Sequence, residues 1–172
     1  MKNAALFVLF LTTITLSAQV TLNPCISNTD FTVVILGSST AAGSGPSHPD
    51  SAWVNKYRQT LQNINPNNQV INLAVGGYTT YRIMPDSFIT PAGRPAVSFN
   101  NNIDKALSYN PDAIIVNLPS NDKQWPREEQ LNNFDTLFNY SLSHGVQFYI
   151  CTTQPIAPLN YAQYQRDVAD SI

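Results

Sequence analysis

A serine at position 39 stands where the nucleophile of an acyl-transfer enzyme could stand. It lies in the turn Gly37-Ser38-Ser39-Thr40, directly after the apolar run at residues 33–36. A buried strand that ends in glycine presents such a hydroxyl at the carboxyl edge of a sheet, where open α/β folds bind ligands. A serine hydroxyl is a weak nucleophile until an adjacent base takes its proton. Ser39 is therefore either a nucleophile that needs a base or the cap of a helix.

Two further turns follow apolar runs in the same way. Residues 74–77 contain two adjacent glycines, and residues 119–122 contain Asn121. A glycine-bearing turn can offer a backbone N–H, and the asparagine amide can donate a hydrogen bond, so both can stabilise an oxyanion. Because the carboxyl ends of parallel strands meet at one edge, the three turns are expected to converge there.

The strands that must position these turns are four short apolar runs. Each is continuously apolar rather than alternating, which predicts a parallel sheet covered on both faces. The runs occupy residues 32–36, 69–73, 113–118 and 146–151. Segments of helical period separate them, so the chain is expected to adopt a three-layer α/β/α fold with the order βαβαβαβ.

Three helices are predicted between the strands. The first begins with Asp50 or Ser51 as its N-cap, the second covers about residues 101–109, and the third runs from Pro126 to a stop at Gly145. Apolar residues recur on one face of each helix, which predicts core packing and no cofactor site. These residues are Trp53, Tyr57, Leu61 and Ile64, then Ile103, Ala106 and Leu107, then Leu131, Phe134, Leu137, Phe138 and Leu142. The irregular, proline-containing residues 81–99 are expected to form the rim of a binding site.

The sequence resembles the SGNH or GDSL-type hydrolase family over about residues 31–158. The first family block, Gly-Asp-Ser followed by small residues, is similar to residues 37–43. It places Ser39 at the nucleophile position, and Ser38 replaces the usual Asp. The resemblance implies the SGNH hydrolase fold, a flavodoxin-like parallel sheet that would be incomplete at the carboxyl end of this chain.

Two more family blocks are present. The second is similar to residues 72–77 and puts Gly77 on the oxyanion-donor position, with Gly76 as an alternative register. The third, Gly-x-Asn-Asp, is similar to residues 119–122, with proline in place of the glycine and Asn121 on the oxyanion-binding position. The resemblance therefore implies that Ser39, Gly77 and Asn121 are the catalytic residues, with the Ser39 N–H as a further oxyanion donor.

The fourth family block, an Asp-x-x-His element that supplies the base and its orienting carboxylate, is missing. The two histidines are His48, expected to be solvated in a proline-flanked loop, and His144, expected as a cation at a helix end. Asp167 and Asp170 have the spacing of Asp-x-x-Asp, and a carboxylate does not replace an imidazole near neutral pH. We expect the chain to be the amino-terminal part of a longer protein that carries the base. The alternative is a natural protein without one.

The resemblance implies a serine esterase that hydrolyses carboxylic esters, such as O-acetyl groups on carbohydrate, through an acyl-enzyme, and the amino-terminal pattern described below predicts that it is exported. No cluster of His, Cys and carboxylate residues has metal-ligand spacing, so no metal and no cofactor are expected. Two other interpretations stay open: an inactive SGNH-like module that binds glycans or acylated polymers, and a structural domain in which Ser39 only caps a helix.

Composition and charge argue against two classes of partner. The chain has 172 residues, of which 12% are charged, and its net charge is -2. Without a basic patch, neither nucleic acid nor an anionic membrane surface is an expected partner. The oligomeric state has no sequence signal.

The amino terminus has the layout of a secretory signal peptide. A lysine at position 2 precedes an apolar stretch at residues 4–16, and small residues follow it. We predict a signal peptide over residues 1–18, a mature segment over residues 19–30 and the hydrolase-type domain over residues 31–172, hence a secreted or periplasmic protein. Export would permit a disulfide between Cys25 and Cys151, although a buried free Cys151 is the commoner case.

Overall fold

The computed structural model describes residues 29–118 and 121–151. Several predictions concern residues outside these ranges. They are the signal peptide at residues 1–18, one half of the possible disulfide at Cys25, and the carboxylates Asp167 and Asp170.

Four parallel strands form one sheet in the described part of the chain. They are β1 (Thr32–Gly37), β2 (Gln69–Asn72), β3 (Ala113–Asn117) and β4 (Gln147–Ile150), in the order β2-β1-β3-β4. Each falls within one or two residues of an apolar run, so the predicted strands and their parallel pairing are confirmed. The order places β1 and β3 at the centre, and these are the two strands that lead to Ser39 and Asn121.

Helices cover both faces of this sheet. They are α1 (Ser39–Ala42), α2 (Trp53–Ile64), α3 (Ile103–Leu107) and α4 (Arg127–Ser143). Short 3-10 turns occupy Pro49–Ser51, Thr80–Ile83 and Asn121–Gln124. The fold is thus the predicted three-layer α/β/α arrangement.

The core lies in two layers because successive side chains of β1 point to opposite faces. Val34 and Leu36 pack with residues of α3 and α4, including Ile103, Phe134 and Leu137. On the other face, Val33 and Ile35 pack against α1 and α2 through Ala41 and Val54. Strands buried on both faces explain why the runs are continuously apolar.

The helix boundaries differ from the prediction at two places. The helix α2 begins at Trp53 with Ala52 as its N-cap, because Pro49–Ser51 form a 3-10 turn of their own. His48 caps this turn by accepting a hydrogen bond from the Asp50 N–H. The helix α3 is shorter than predicted because the Asn102 side chain caps it by accepting from the Lys105 N–H at 3.0 Å.

Two predicted core residues lie near helix ends and are largely exposed. Ile64 ends α2 with 45% of its surface exposed, and Leu142 near the end of α4 has 51% exposed. In α2 the fully packed side chain is instead Val54, which is 1% exposed. Within the described ranges, no helix combines the length and apolar character needed to cross a membrane.

Candidate active site

The predicted nucleophile turn, residues 37–40, is shaped by a close approach at Gly37. A Cβ at this position would lie 2.7 Å from the Asn117 carbonyl oxygen and 2.9 Å from the Ala41 Cβ. Glycine therefore lets β1 and β3 stay in register up to the end of β1, where the Ser38 N–H donates to the same carbonyl at 3.0 Å. Ser39 follows as the first residue of α1 and is half-buried. The N-cap of α1 is Ser38, whose side chain makes no capping hydrogen bond.

The second turn lies beside the first. Backbone N–H groups continue the pairing past β2, since Leu73 donates to Ile35 O at 2.8 Å and Val75 donates to Gly37 O at 3.1 Å. Asn72 adds a side-chain bond, donating to the Ala41 carbonyl at 2.8 Å. These contacts fix the end of β2 against the nucleophile turn.

The two glycines of this turn are exposed and differ in conformation. A Cβ on Gly76 would lie 3.9 Å from the Ser39 Cβ, so this residue faces the serine directly. Gly77 has a φ of 81°, in the left-handed region that favours glycine. The structure thus brings Gly76 next to the turn that holds Ser39, and Gly77 is the next residue along the chain.

The third turn reaches the site through Asn121. Its Nδ2 donates to Ser38 Oγ at 2.6 Å and to the Tyr78 carbonyl at 2.7 Å. One side chain therefore joins the end of β1 to the turn after β2. Ser39, Gly77 and Asn121 lie on three adjoining turns at the carboxyl edge of the sheet.

A buried carboxylate supports this third turn, and the sequence interpretation missed it. Asp122 is 1% exposed, and its carboxylate accepts from the Thr80 N–H at 3.0 and 3.2 Å and from the Thr80 hydroxyl at 2.5 Å. Asn133 on α4 in turn donates to the Thr80 hydroxyl at 2.8 Å. Burial raises the pKa of Asp122 to about 6, and the hydrogen bonds from Thr80 oppose that rise. The available signal was its position directly after Asn121.

The predicted rim, residues 81–99, is tied down by a charged pair. Arg94 forms a bidentate ion pair with Glu129 on α4, and both nitrogen–oxygen distances are 2.7 Å. Glu129 also accepts from the Tyr81 hydroxyl. The hydrogen bonds from Arg94 and Tyr81 lower the pKa of Glu129 to about 2. The Arg94 guanidinium lies 5.4 Å from the ring centre of Trp125, just after the third turn.

The two ends of the rim meet each other. The Ser98 N–H donates to the Arg82 carbonyl at 2.9 Å, and the Ser98 hydroxyl lies 2.7 Å from the Tyr78 hydroxyl. Residues 82–98 thus form a closed loop that leaves and rejoins the body of the protein beside the second turn.

Neither histidine contacts Ser39. His48 lies in an exposed loop, where its Nδ1 is 3.5 Å from the Asp50 carboxylate. His144 caps the carboxyl end of α4, with Nδ1 2.8 Å from the Tyr140 carbonyl oxygen, and thus precedes β4 at the opposite edge of the sheet.

The thiol of Cys151 is a further side chain at the carboxyl edge of the sheet that could act as a nucleophile. Cys151 has a half-buried free thiol directly after β4, and burial raises its pKa. A thiol with a raised pKa carries little thiolate at neutral pH and is a weak nucleophile. Among the described residues, no group of three or more His, Cys, Asp or Glu side chains lies close enough together to hold a metal ion.

Comparison with known proteins agrees with this fold. The family model of the GDSL-like Lipase/Acylhydrolase family matches residues 35–171. Among solved structures, the psychrotrophic esterase EstA from Pseudoalteromonas sp., in a form inhibited by monoethylphosphonate, superposes with a TM-score of 0.58 at 18% identity. It covers 83% of this chain and 71% of its own. No curated protein matches the chain.

Two other solved structures share the fold at similar distance. TesA superposes with a TM-score of 0.60 at 15% identity, over 81% of this chain and 71% of its own. The acetyl xylan esterase AlAXEase gives 0.58 at 14% identity, over 82% and 73%. Because the family model spans most of the chain and the fold agrees, the protein belongs to the GDSL-like lipase/acylhydrolase, or SGNH hydrolase, family.

Proposed function

We propose that the protein is an exported serine esterase in which Ser39 attacks carboxylic esters. The observation that carries this proposal is the bond from Asn121 Nδ2 to Ser38 Oγ at 2.6 Å, which fixes an amide donor beside the nucleophile turn. Gly76 also lies near Ser39, since a Cβ on Gly76 would be 3.9 Å from the Ser39 Cβ. A nucleophile with hydrogen-bond donors beside it is the arrangement that acyl transfer requires.

In the proposed reaction, the Ser39 hydroxyl oxygen bonds to the ester carbonyl carbon while a base takes the hydroxyl proton. The carbonyl oxygen becomes an oxyanion that accepts from the Gly77 and Ser39 N–H groups and from the Asn121 amide. The intermediate collapses, the alcohol leaves with a proton from the protonated base, and Ser39 carries the acyl group. Water then releases the carboxylic acid by the same steps.

The base is proposed to come from a part of the protein beyond these 172 residues. Serine needs a base such as imidazole near neutral pH. The only two histidines of the sequence contact Asp50 in one case and Tyr140 in the other. The described residues would then supply the nucleophile and the oxyanion hole, and an added Asp-x-x-His element would supply the rest of the triad.

Acetyl groups on carbohydrate are the proposed substrate class. Support comes from the acetyl xylan esterase among the structures that share the fold and from the layout of residues 1–18, which predicts export to where polysaccharides occur. Both supports are analogies, so the assay should compare acetylated polysaccharide with a simple acetyl ester.

Neither histidine contacts Ser39, and this observation favours one alternative, an inactive module that binds glycans or acylated polymers. A fluorophosphonate probe distinguishes the two functions, because it reacts with a serine that a base activates. The full-length protein is expected to be labelled at Ser39, as located by peptide mass spectrometry, and Ser39→Ala is the control. An unlabelled full-length protein that still binds acetylated polysaccharide would support the module instead.

Asn121 gives a second, quantitative test. If its amide stabilises the oxyanion, Asn121→Ala should lower kcat by about 10² to 10³. The KM should change much less, because the bond forms chiefly in the transition state. Circular dichroism should show a folded variant. Turnover at the level of the unmodified enzyme would remove Asn121 from the mechanism.

A further inference from the structure

The nitrogen of the Asn121 amide is fully engaged in this structure. A primary amide nitrogen carries two protons, and here it has two acceptors, Ser38 Oγ at 2.6 Å and Tyr78 O at 2.7 Å. The bond to Tyr78 O is at the short end of the range for N–H···O bonds, and the bond to Ser38 Oγ is slightly shorter than that range. An oxyanion can therefore accept a hydrogen bond from Asn121 only if it shares one amide N–H with Ser38 or Tyr78, or replaces one of them as acceptor.

The two acceptors differ in how firmly they are held. The Tyr78 carbonyl is part of the main chain, and its own N–H is bonded to Val75 O at 3.2 Å within the second turn. Ser38 has a fixed backbone, because its N–H is bonded to Asn117 O, but its hydroxyl can rotate about one side-chain torsion. The bond to Ser38 is the one that can give way without moving the backbone.

Ser38 is also closed off from solvent. It is 1% exposed, so water does not compete strongly for the Asn121 amide at this position. Without an acceptor there, one amide proton would be left buried and unpaired, and the side chain would rotate to find another partner. The hydroxyl therefore determines which way the amide faces.

We propose that Ser38 is a positioning residue of the oxyanion hole. Its hydroxyl accepts from the Asn121 amide and holds that amide toward the nucleophile turn, and when the oxyanion forms, the oxyanion takes over this amide N–H. This inference rests on the proposed function of Asn121. Ser38 stands where the resemblance places Asp, and a carboxylate would also offer an acceptor. The position thus requires an acceptor, and the hydroxyl fulfils that requirement.

The test is a double-mutant cycle on the full-length protein, read as the second-order rate of Ser39 labelling by a fluorophosphonate. Ser38→Ala should lower this rate about 10-fold, because a misplaced donor costs up to about 100-fold. In the Asn121→Ala background the same change should alter the rate less than twofold. Non-additivity of this kind is expected only if Ser38 acts through Asn121.

Ser38→Asp is the matched variant, because it restores an acceptor at the same position. It should be labelled faster than Ser38→Ala, which a loss of packing alone would not produce. Melting temperatures show that each variant is folded. Equal effects of Ser38→Ala in both backgrounds, or a Ser38→Asp variant as slow as Ser38→Ala, would overturn the positioning role.

Failure of the proposed function looks different. If the unmodified protein is not labelled, or if Asn121→Ala is labelled at the full rate, the esterase assignment fails and this inference fails with it. If Asn121→Ala is slow but Ser38→Ala is not, only the role of Ser38 is refuted.

Discussion

Replacing Gly37 with alanine would test the close approach that shapes the nucleophile turn. The new Cβ would lie 2.7 Å from Asn117 O and 2.9 Å from the Ala41 Cβ. Neither neighbour is the free end of a flexible side chain. The carbonyl is held by the Ser38 N–H, and Ala41 is fully buried in α1. The methyl group can be accommodated only if the backbone of β1, β3 or α1 moves.

Two opposing terms set the size of the effect. Overpacking of this kind costs about 1–3 kcal/mol, whereas alanine restricts the unfolded chain and returns about 0.4–1 kcal/mol. Because both neighbours are fixed, we expect the upper part of this range and a net loss of about 1–2 kcal/mol. In a protein of this size, each kcal/mol corresponds to about 2–4 °C in Tm. The expected fall in Tm is therefore about 2–8 °C.

Gly76→Ala is the matched control for this measurement. It makes the same chemical change on the neighbouring turn, but its Cβ would be 3.9 Å from the nearest heavy atom, an ordinary contact. The backbone of Gly76 is also outside the left-handed region. In urea unfolding followed by circular dichroism, the free energy of unfolding of Gly76→Ala should be close to that of the unmodified protein. The m-values of both variants should be unchanged. Equal stability of Gly37→Ala and the unmodified protein would refute the steric argument.

Two carboxylates predict pH effects of opposite sign. The pKa of Asp122 is raised from 3.8 to about 6, so the folded protein binds this proton more tightly than the unfolded chain. The protonated Asp122 carboxyl therefore stabilises the folded state by about 3 kcal/mol below about pH 4, and this stabilisation is lost as the pH rises through 6. Asp122→Asn should remove this fall in urea-unfolding free energies between pH 4 and 7. The pKa of Glu129 is lowered from 4.5 to about 2, so its stabilisation is present above about pH 4.5 and is lost toward pH 2. Glu129→Gln should flatten the acid limb of the Tm curve, and an unchanged limb would show that the bond to Arg94 contributes nothing.

The strands and the meeting of the three turns could be predicted from sequence because both depend on local patterns. A strand buried on both faces must be continuously apolar, and parallel strands bring their carboxyl ends to one edge. The predicted start of α2 was wrong for an equally local reason. The sequence offered Asp50 and Ser51 as ordinary N-caps, whereas His48 caps a separate 3-10 turn ahead of the helix.

The polar supports of the site could not be predicted in this way. The partner of Asp122 is Thr80, 42 residues earlier, and the partner of Arg94 is Glu129, 35 residues later. One member of each pair, Thr80 or Arg94, lies in or beside the irregular segment at residues 81–99, so no spacing rule connects it with its partner. Such pairs depend on how an irregular segment folds back onto the sheet, which one sequence does not encode in any short pattern.

The closed loop at residues 82–98 limits where the chain can change in length. Its ends are joined by the bond between the Ser98 N–H and Arg82 O, and the Tyr78 and Ser98 hydroxyls lie together at the same junction. The entropic cost of lengthening a loop whose ends are already held grows only slowly with its length. Insertions are therefore expected to be tolerated at its exposed part, around Ile89, whereas the fully buried Ile83 and Met84 belong to the core. The bond between Asp122 and Thr80 lies outside the loop and would stay unchanged.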